Sequence, residues 1–316
     1  MKKSWLAILG GWIMATSLGL LRWWTGAASA SHIIEAHGVM RYLRLGKTGA
    51  QPVVLIHGFS DQPESFLLTA SRLGEYDVIL PALPGFHDDG PLDDLSYNVG
   101  DYAGWVAHLL DSLNLQNAHI VGNSLGGAVA LSLAVSRPDL VASLIPLDSA
   151  GFELPDVPSV FDEVRSGHVL FEVRRAEDLH TFLGRIFHRA PPMPLPVRAW
   201  LSTDLAAKAD RYLRIMGDLK AEGLHHEERG SLVDLGAIQA PALVAWGDRD
   251  SLFPVAIGQG MAAAIPGAQF HLFTETGHCP HIERPYAVAV VCRRFWLGLP
   301  SVQDQQASPW QPPAVR

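Results

Sequence analysis

Cysteine is nearly absent from this chain, with two in 316 residues. Cys279 and Cys292 are too few for a disulfide framework and lack metal-site spacing, so they read as buried packing or one incidental bridge. Charge is scarce too: 18% of residues are charged against 48% hydrophobic, which excludes global disorder and allows a sizeable core. The formal charge of -8 leaves no surplus of Lys and Arg for phosphate contacts, so a nucleic-acid partner is excluded. Internal repeats are absent. The length suits one large catalytic domain, or a core carrying an inserted cap.

One long uncharged run stands at the N-terminus. Lys2 and Lys3 precede an apolar stretch from Trp5 to Leu21, closed by Arg22, Trp23 and Trp24. Crossing a bilayer takes roughly 17–25 such residues, and tryptophans suit its interface. Ala28-Ser29-Ala30 resembles a signal-peptidase site, but the apolar run exceeds the usual signal core of roughly 7–15 residues and ends well before it. Residues 1–30 are expected to be an uncleaved membrane anchor or a cleaved signal peptide. Either one makes the protein membrane-anchored or exported, with its catalytic domain on the non-cytosolic side.

From residue 33 onward, short apolar runs alternate with longer helical patterns, the mark of an α/β sheet. Strands are expected at 53–57, 78–81, 119–122, 144–148, 242–246 and 269–273. Most lack in/out alternation, as parallel strands buried on both faces do. Residues 33–45 read as an opening hairpin with Gly38 near its turn. Residues 98–113 read as a helix with Val99, Tyr102, Val106, Leu109, Leu110 and Leu113 along one side. Another helix follows Ser124 and stops before Pro138.

Between residues 151 and 230 the strand rhythm lapses into helical patterns and a proline cluster (Pro191, Pro192, Pro194, Pro196). An insertion at the carboxyl ends of the strands, where sites sit in such sheets, is the simplest account. The expected division is a core at 31–150 and 231–300, a helical cap at 151–230, and a disordered polar tail at 301–316. Arg165, Arg174, Arg175, Arg185 and Arg189 of the cap read as a solvated face, with a membrane-facing lid as the alternative. His225 and His226 read as solvent-facing.

Gly122-Asn123-Ser124-Leu125-Gly126 fits G-x-S-x-G. The pattern is steric in origin: a strand turning sharply into a helix strains the serine and leaves no room for side chains two positions away. Chance produces such a match roughly 0.2 times in a chain of this composition. Its context therefore decides, and here an apolar strand runs in and a helix leaves. The hydroxyl needs a base within hydrogen-bond reach, itself oriented by a carboxylate. The order Ser, then Asp or Glu, then His selects His278 among the 14 histidines, with His281 as competitor. Asp250 is the expected carboxylate, Asp148 its rival, and Asp248 is expected to tie backbone amides of its turn. His57 reads as a structural hydrogen-bonding residue. The backbone N–H groups of Phe59 and Leu125 are expected to form the oxyanion hole.

His57-Gly58-Phe59-Ser60, residues 122–127, residues 246–254, and Gly277-His278 with Glu283-Arg284-Pro285 closely resemble the α/β-hydrolase superfamily. Within it, the chain is similar to membrane-anchored monoacylglycerol lipases and bacterial family V lipases. Leu92-Asp93-Asp94-Leu95-Ser96 and the apolar N-terminal segment add to a similarity covering residues 33–298. The resemblance implies an α/β-hydrolase fold: a mostly parallel sheet flanked by helices, with an inserted helical cap. It implies Ser124, Asp250 and His278 as catalytic residues, Phe59 and Leu125 as oxyanion donors, and neither cofactor nor metal. The implied reaction is cleavage of a carboxylic ester, an acylglycerol or another lipid-like ester. The expected partners are that substrate and, through the N-terminal segment, a membrane. Two alternatives stay open: a carbon–carbon bond hydrolase of the same fold, and a low-turnover ligand-binding protein.

Overall fold

The strands assemble around the apolar runs of the middle of the chain. In the computed structural model, which describes residues 4–34, 38–87, 95–221 and 230–299, eight strands form one sheet in the order β1-β2-β4-β3-β5-β6-β7-β8. They are β1 (Ala28–Ile34), β2 (Gly38–Gly46), β3 (Pro52–Ile56), β4 (Asp77–Pro81), β5 (Ala118–Asn123), β6 (Val141–Leu147), β7 (Leu243–Gly247) and β8 (Gln269–Phe273). The six from β3 to β8 run parallel, while β2 is antiparallel to both β1 and β4. Every residue of β3, β4 and β7 is buried, which is why their sequences are continuous apolar runs without alternation. This is the α/β-hydrolase fold expected from the sequence.

The helices among the described residues are α1 (Trp5–Thr25), α2 (Leu67–Ala70), α3 (Val99–Ser112), α4 (Leu125–Ser136), α5 (Val160–Arg165), α6 (Ala176–Ile186), α7 (Leu195–Ala221), α8 (Val255–Ala264), α9 (Pro280–Glu283) and α10 (Pro285–Trp296). Asn98 caps α3 by accepting from the Asp101 N–H at 2.7 Å, and the predicted stripe from Val99 to Leu110 is buried. α4 is apolar all round and correspondingly buried on nearly every side.

α5, α6 and α7 lie between β6 and β7. Five arginines of this segment have acidic partners. Arg165 grips Glu153, Arg174 pairs with Glu172 and Asp210, Arg175 with Asp178, Arg185 with Glu163, and Arg189 with Glu275. Arg174, Arg175 and Arg189 stay exposed while paired.

α1 lies along α7. A Cβ at Gly10 would overlap the Pro196 carbonyl, and one at Gly11 would lie 3.0 Å from the Trp200 indole. These glycines let the two helices approach closely. The opposite face of α1 exposes Trp5, Ile8, Leu9, Trp12, Leu20, Trp23 and Trp24. Arg22, near the end of α1, pairs with the buried Glu64. The opening hairpin begins five residues before the predicted start at 33, because Ala28, Ser29 and Ala30 already pair with Arg44, Leu43 and Tyr42. Cys279 and Cys292 are both free and buried. His225, His226, Leu92-Asp93-Asp94 and the tail from Ser301 to Arg316 lie outside the described residues.

Candidate active site

β5 runs straight into α4, and Ser124 occupies the bend with φ 56 and ψ -118. No β-carbon-bearing residue adopts this conformation without strain. The bend is tight because its neighbours are bare. A Cβ on Gly122 would overlap the Gly126 carbonyl, one on Gly126 the Ile56 carbonyl, and one on Gly127 the Ser149 side chain. Backbone bonds hold it: Ser124 N–H donates to the Leu147 carbonyl at 3.1 Å, and Ala150 N–H donates to the Ser124 carbonyl at 3.0 Å. Of the six non-glycine residues with positive φ among the described residues, Ser60, Ser124, Asp148 and Glu275 crowd this edge of the sheet.

The loop after β3 lies against the serine. A Cβ on Gly58 would stand 3.2 Å from Ser124 Cβ. The N–H groups of Phe59, next in that loop, and of Leu125, first in α4, take no hydrogen bond among the described residues. The Leu125 N–H also stands at the positive end of the α4 dipole. His57 is fully buried and its Nε2 accepts from Leu83 N–H at 3.0 Å. Burial lowers its pKa, so the ring is a neutral structural acceptor.

His278 and Asp250 meet in the interior. His278 Nδ1 lies 2.9 Å from Asp250 Oδ2, with both side chains almost entirely buried. Asp250 Oδ1 accepts from Leu252 N–H at 2.8 Å and Phe253 N–H at 3.1 Å. A carboxylate held this way accepts a hydrogen bond from Nδ1–H and leaves Nε2 with its lone pair, the tautomer a general base needs. The Ser124 hydroxyl itself makes no hydrogen bond among the described residues.

The rival residues sit elsewhere. His281 is fully buried, stacked on Phe66 at 4.1 Å, with Nε2 3.5 Å from Asp61. Asp248 accepts from Thr276 N–H at 3.1 Å and so ties the His278 loop rather than its own turn. Asp148 is closer to the chemistry. Its Oδ1 accepts from Gly247 N–H at 2.8 Å, and its Oδ2 is buried without a partner. Burial, and then the neighbouring Asp250 charge, raise its pKa well above the usual carboxylate range. Asp148 is therefore held as the neutral acid.

Asp148, Asp250 and His278 each offer one ligand atom within 4.8 Å of the others, a spacing that would also suit a metal ion. The donor set argues otherwise: Nδ1 of His278 is committed to Asp250, and Asp250 Oδ1 to two amides. A hydrogen-bonded acid–base pair uses these atoms better than an ion would.

Two residues escaped the reading of the sequence. Asn123 Nδ2 donates to the Leu147 carbonyl at 3.1 Å and the His278 carbonyl at 3.0 Å, tying the loop of the histidine to the residue before the serine. Glu283 accepts from Gly277 N–H at 2.8 Å, Arg189 N–H at 2.7 Å and His188 N–H at 3.3 Å. Together with the His278 N–H to Ile186 carbonyl bond at 3.0 Å, it fastens the histidine loop to the α5–α7 segment. The only signal in the sequence for Glu283 is its place in the Glu283-Arg284-Pro285 turn. From the same segment, Phe171 and Tyr212 pack on Phe59 at 4.6 and 5.5 Å.

A family model described as alpha/beta hydrolase fold matches residues 51–285. Among curated relatives, Lipase 1 of Psychrobacter immobilis is 27% identical over 245 residues, 77% of this chain and 76% of that one. Lipase 3 of Moraxella sp. (strain TA144) is 26% identical over 261 residues, 82% of each chain. Among solved structures, a bacterial membrane phospholipase A is 29% identical, with a TM-score of 0.84 over 92% of both chains.

Proposed function

The chain belongs to the alpha/beta hydrolase fold family, and from that premise we propose that it is a serine hydrolase of carboxylic esters with apolar acyl chains, such as acylglycerols. The observation that carries the reading is the bonded His278–Asp250 pair roped through Asn123 to the strained Ser124. Ser124 Oγ attacks the ester carbonyl while His278 Nε2 takes its proton. The alcohol leaves with that proton, and water activated by His278 then releases the acid. Phe59 and Leu125 N–H groups stabilise the oxyanion; one such donor is worth about 2.7–4 kcal/mol.

The α5–α7 segment acts as a cap. Phe171 and Tyr212 line its inner side over Phe59 and suit an apolar acyl chain. The lipase names of the relatives and the membrane phospholipase neighbour support a lipid-like ester over a carbon–carbon substrate. α1 is an uncleaved membrane anchor in this reading. A cut after Ala30 would remove three residues of β1 together with the helix, and the exposed tryptophan face of α1 suits lipid.

Ser124→Ala and His278→Ala are each expected to abolish p-nitrophenyl butyrate turnover, and Ser124→Ala to lose fluorophosphonate labelling. Full turnover in either variant removes the mechanism. An intact Met1 end on the protein in carbonate-washed membranes, read by mass spectrometry, tests the anchor.

A further inference from the structure

Asp250 and His278 sit on two loops that their own strands hold only at the root. β7 and β8 are parallel neighbours, and Arg249 N–H donates to the Thr276 carbonyl at 2.8 Å where the loops leave the sheet. Asp250 and His278 both lie beyond that bond. How they face each other depends on what holds the loop tips.

The inserted segment holds both. On the Asp250 side, Ser251 and Arg185 bond reciprocally. Ser251 Oγ donates to the Arg185 carbonyl at 2.7 Å. In return, Arg185 Nε donates to Ser251 Oγ at 3.2 Å and its Nη2 to the Ser251 carbonyl at 3.1 Å. Next along, Val160 N–H of α5 donates to the Leu252 carbonyl at 2.9 Å, and Phe161 packs edge-on against Phe253 at 5.1 Å. Leu252 and Phe253 are the residues whose N–H groups hold Asp250 Oδ1. On the His278 side, Ile186 accepts from the His278 N–H at 3.0 Å. Two adjacent residues at the end of α6 thus grip both tips.

Arg185 suits this position better than a simple cation would. Its two Nη groups donate to Glu163 of α5 at 2.7 and 3.1 Å, and its remaining donors reach Ser251. A planar fork with five N–H donors serves both partners at once, whereas the single ammonium of lysine is a point charge. The orientation of His278 rests on its 2.9 Å contact with Asp250, and a misplacement beyond about 0.5 Å loosens a catalytic pair.

We propose that Arg185 is a positioning residue: through Ser251 it fixes the Asp250 turn at the spacing from His278 that proton transfer needs. The cap then completes the pair as well as covering the substrate. This rests on the reading of Asp250 and His278 as carboxylate and base. The test compares Arg185→Lys with Glu163→Gln in the full chain. Lysine keeps a charge facing Glu163 but cannot also clamp Ser251. It is expected to lower kcat for p-nitrophenyl butyrate about tenfold with KM unchanged. It should also shift the downfield proton resonance of His278 Nδ1–H, a signal assigned by its absence in His278→Ala. Glu163→Gln breaks the ion pair but leaves Ser251 gripped, and activity should stay within about twofold. If Arg185→Lys does not fold, Ser251→Ala decides, with kcat expected to fall about threefold and the resonance to shift. Equal losses in Glu163→Gln and Arg185→Lys would make the effect one of cap packing and overturn the proposal. So would an unchanged kcat or an unchanged resonance in the folded variant, or a change confined to KM. The resonance is read without substrate, so it judges the clamp separately from the role of Ser124.

Discussion

At the Ser124 bend, geometry follows from what the neighbours lack, because Gly122, Gly126 and Gly127 clear space that any β-carbon would occupy. At the His278 loop, it follows from what distant residues supply: Asn123, Ile186, Glu283 and Asp250 each hold it by a hydrogen bond. The two ends of one site are thus built differently. A steric bend is all-or-none, since overlap with backbone atoms leaves little room to adjust. A loop tied by several bonds degrades in steps, one bond at a time.

Changes at the bend are expected to be the most severe. Gly126→Ala places a Cβ against the Ile56 carbonyl and should destabilise the fold by more than about 4 kcal/mol. A melting curve close to that of the parent protein would show the bend to be more forgiving than its packing implies. At the loop, Asp250→Asn is expected to preserve the melting temperature within a few degrees while lowering kcat about ten-thousand-fold through the wrong tautomer. Retention of a tenth of the activity would pass the carboxylate's role to another residue.

Loosening the tether should do less. Glu283→Gln weakens the clamp on three amides and is expected to lower kcat/KM about 10–100-fold, with fluorophosphonate labelling slowed and not abolished. An unchanged rate would mean that the other bonds hold the loop unaided.

Asp148→Asn is the smallest change. Burial holds Asp148 as a neutral acid, and asparagine keeps both its shape and a donor. Activity is expected to stay within about threefold. Stability is more telling. An acid whose folded-state pKa is raised keeps a proton that the unfolded chain has already released above about pH 4, so it weakens the fold as pH rises from there towards the raised pKa. The variant should therefore gain melting temperature over the parent as pH rises above about 4, and parallel curves would contradict a neutral Asp148.

Much of this arrangement was legible in the chain. The run predicted at 53–57 is β3 at Pro52–Ile56, and the helix predicted at 98–113 is α3, capped by Asn98. Burial on both faces writes a continuous apolar run, and a half-buried helix writes a stripe. The hinge roles of Asn123 and Glu283 left no such trace. Asn123 meets His278 across 155 positions and Glu283 meets Arg189 across 94, and a polar side chain looks the same whether it caps a loop or faces water. The arginines of the inserted segment read as a solvated face, and Arg174, Arg175 and Arg189 are indeed exposed, but the carboxylates they pair with were not legible.

By itself, then, the amino-acid order determined where backbone strain would be tolerated, which runs would be buried, and in what succession hydroxyl, carboxylate and imidazole would follow one another. Only the packed molecule decided that Asp250 and not Asp148 bonds His278, and that α1 lies along α7. Sterics and periodicity act over a few residues and so are written locally. The choice of a hydrogen-bond partner depends on which distant segments the core brings together.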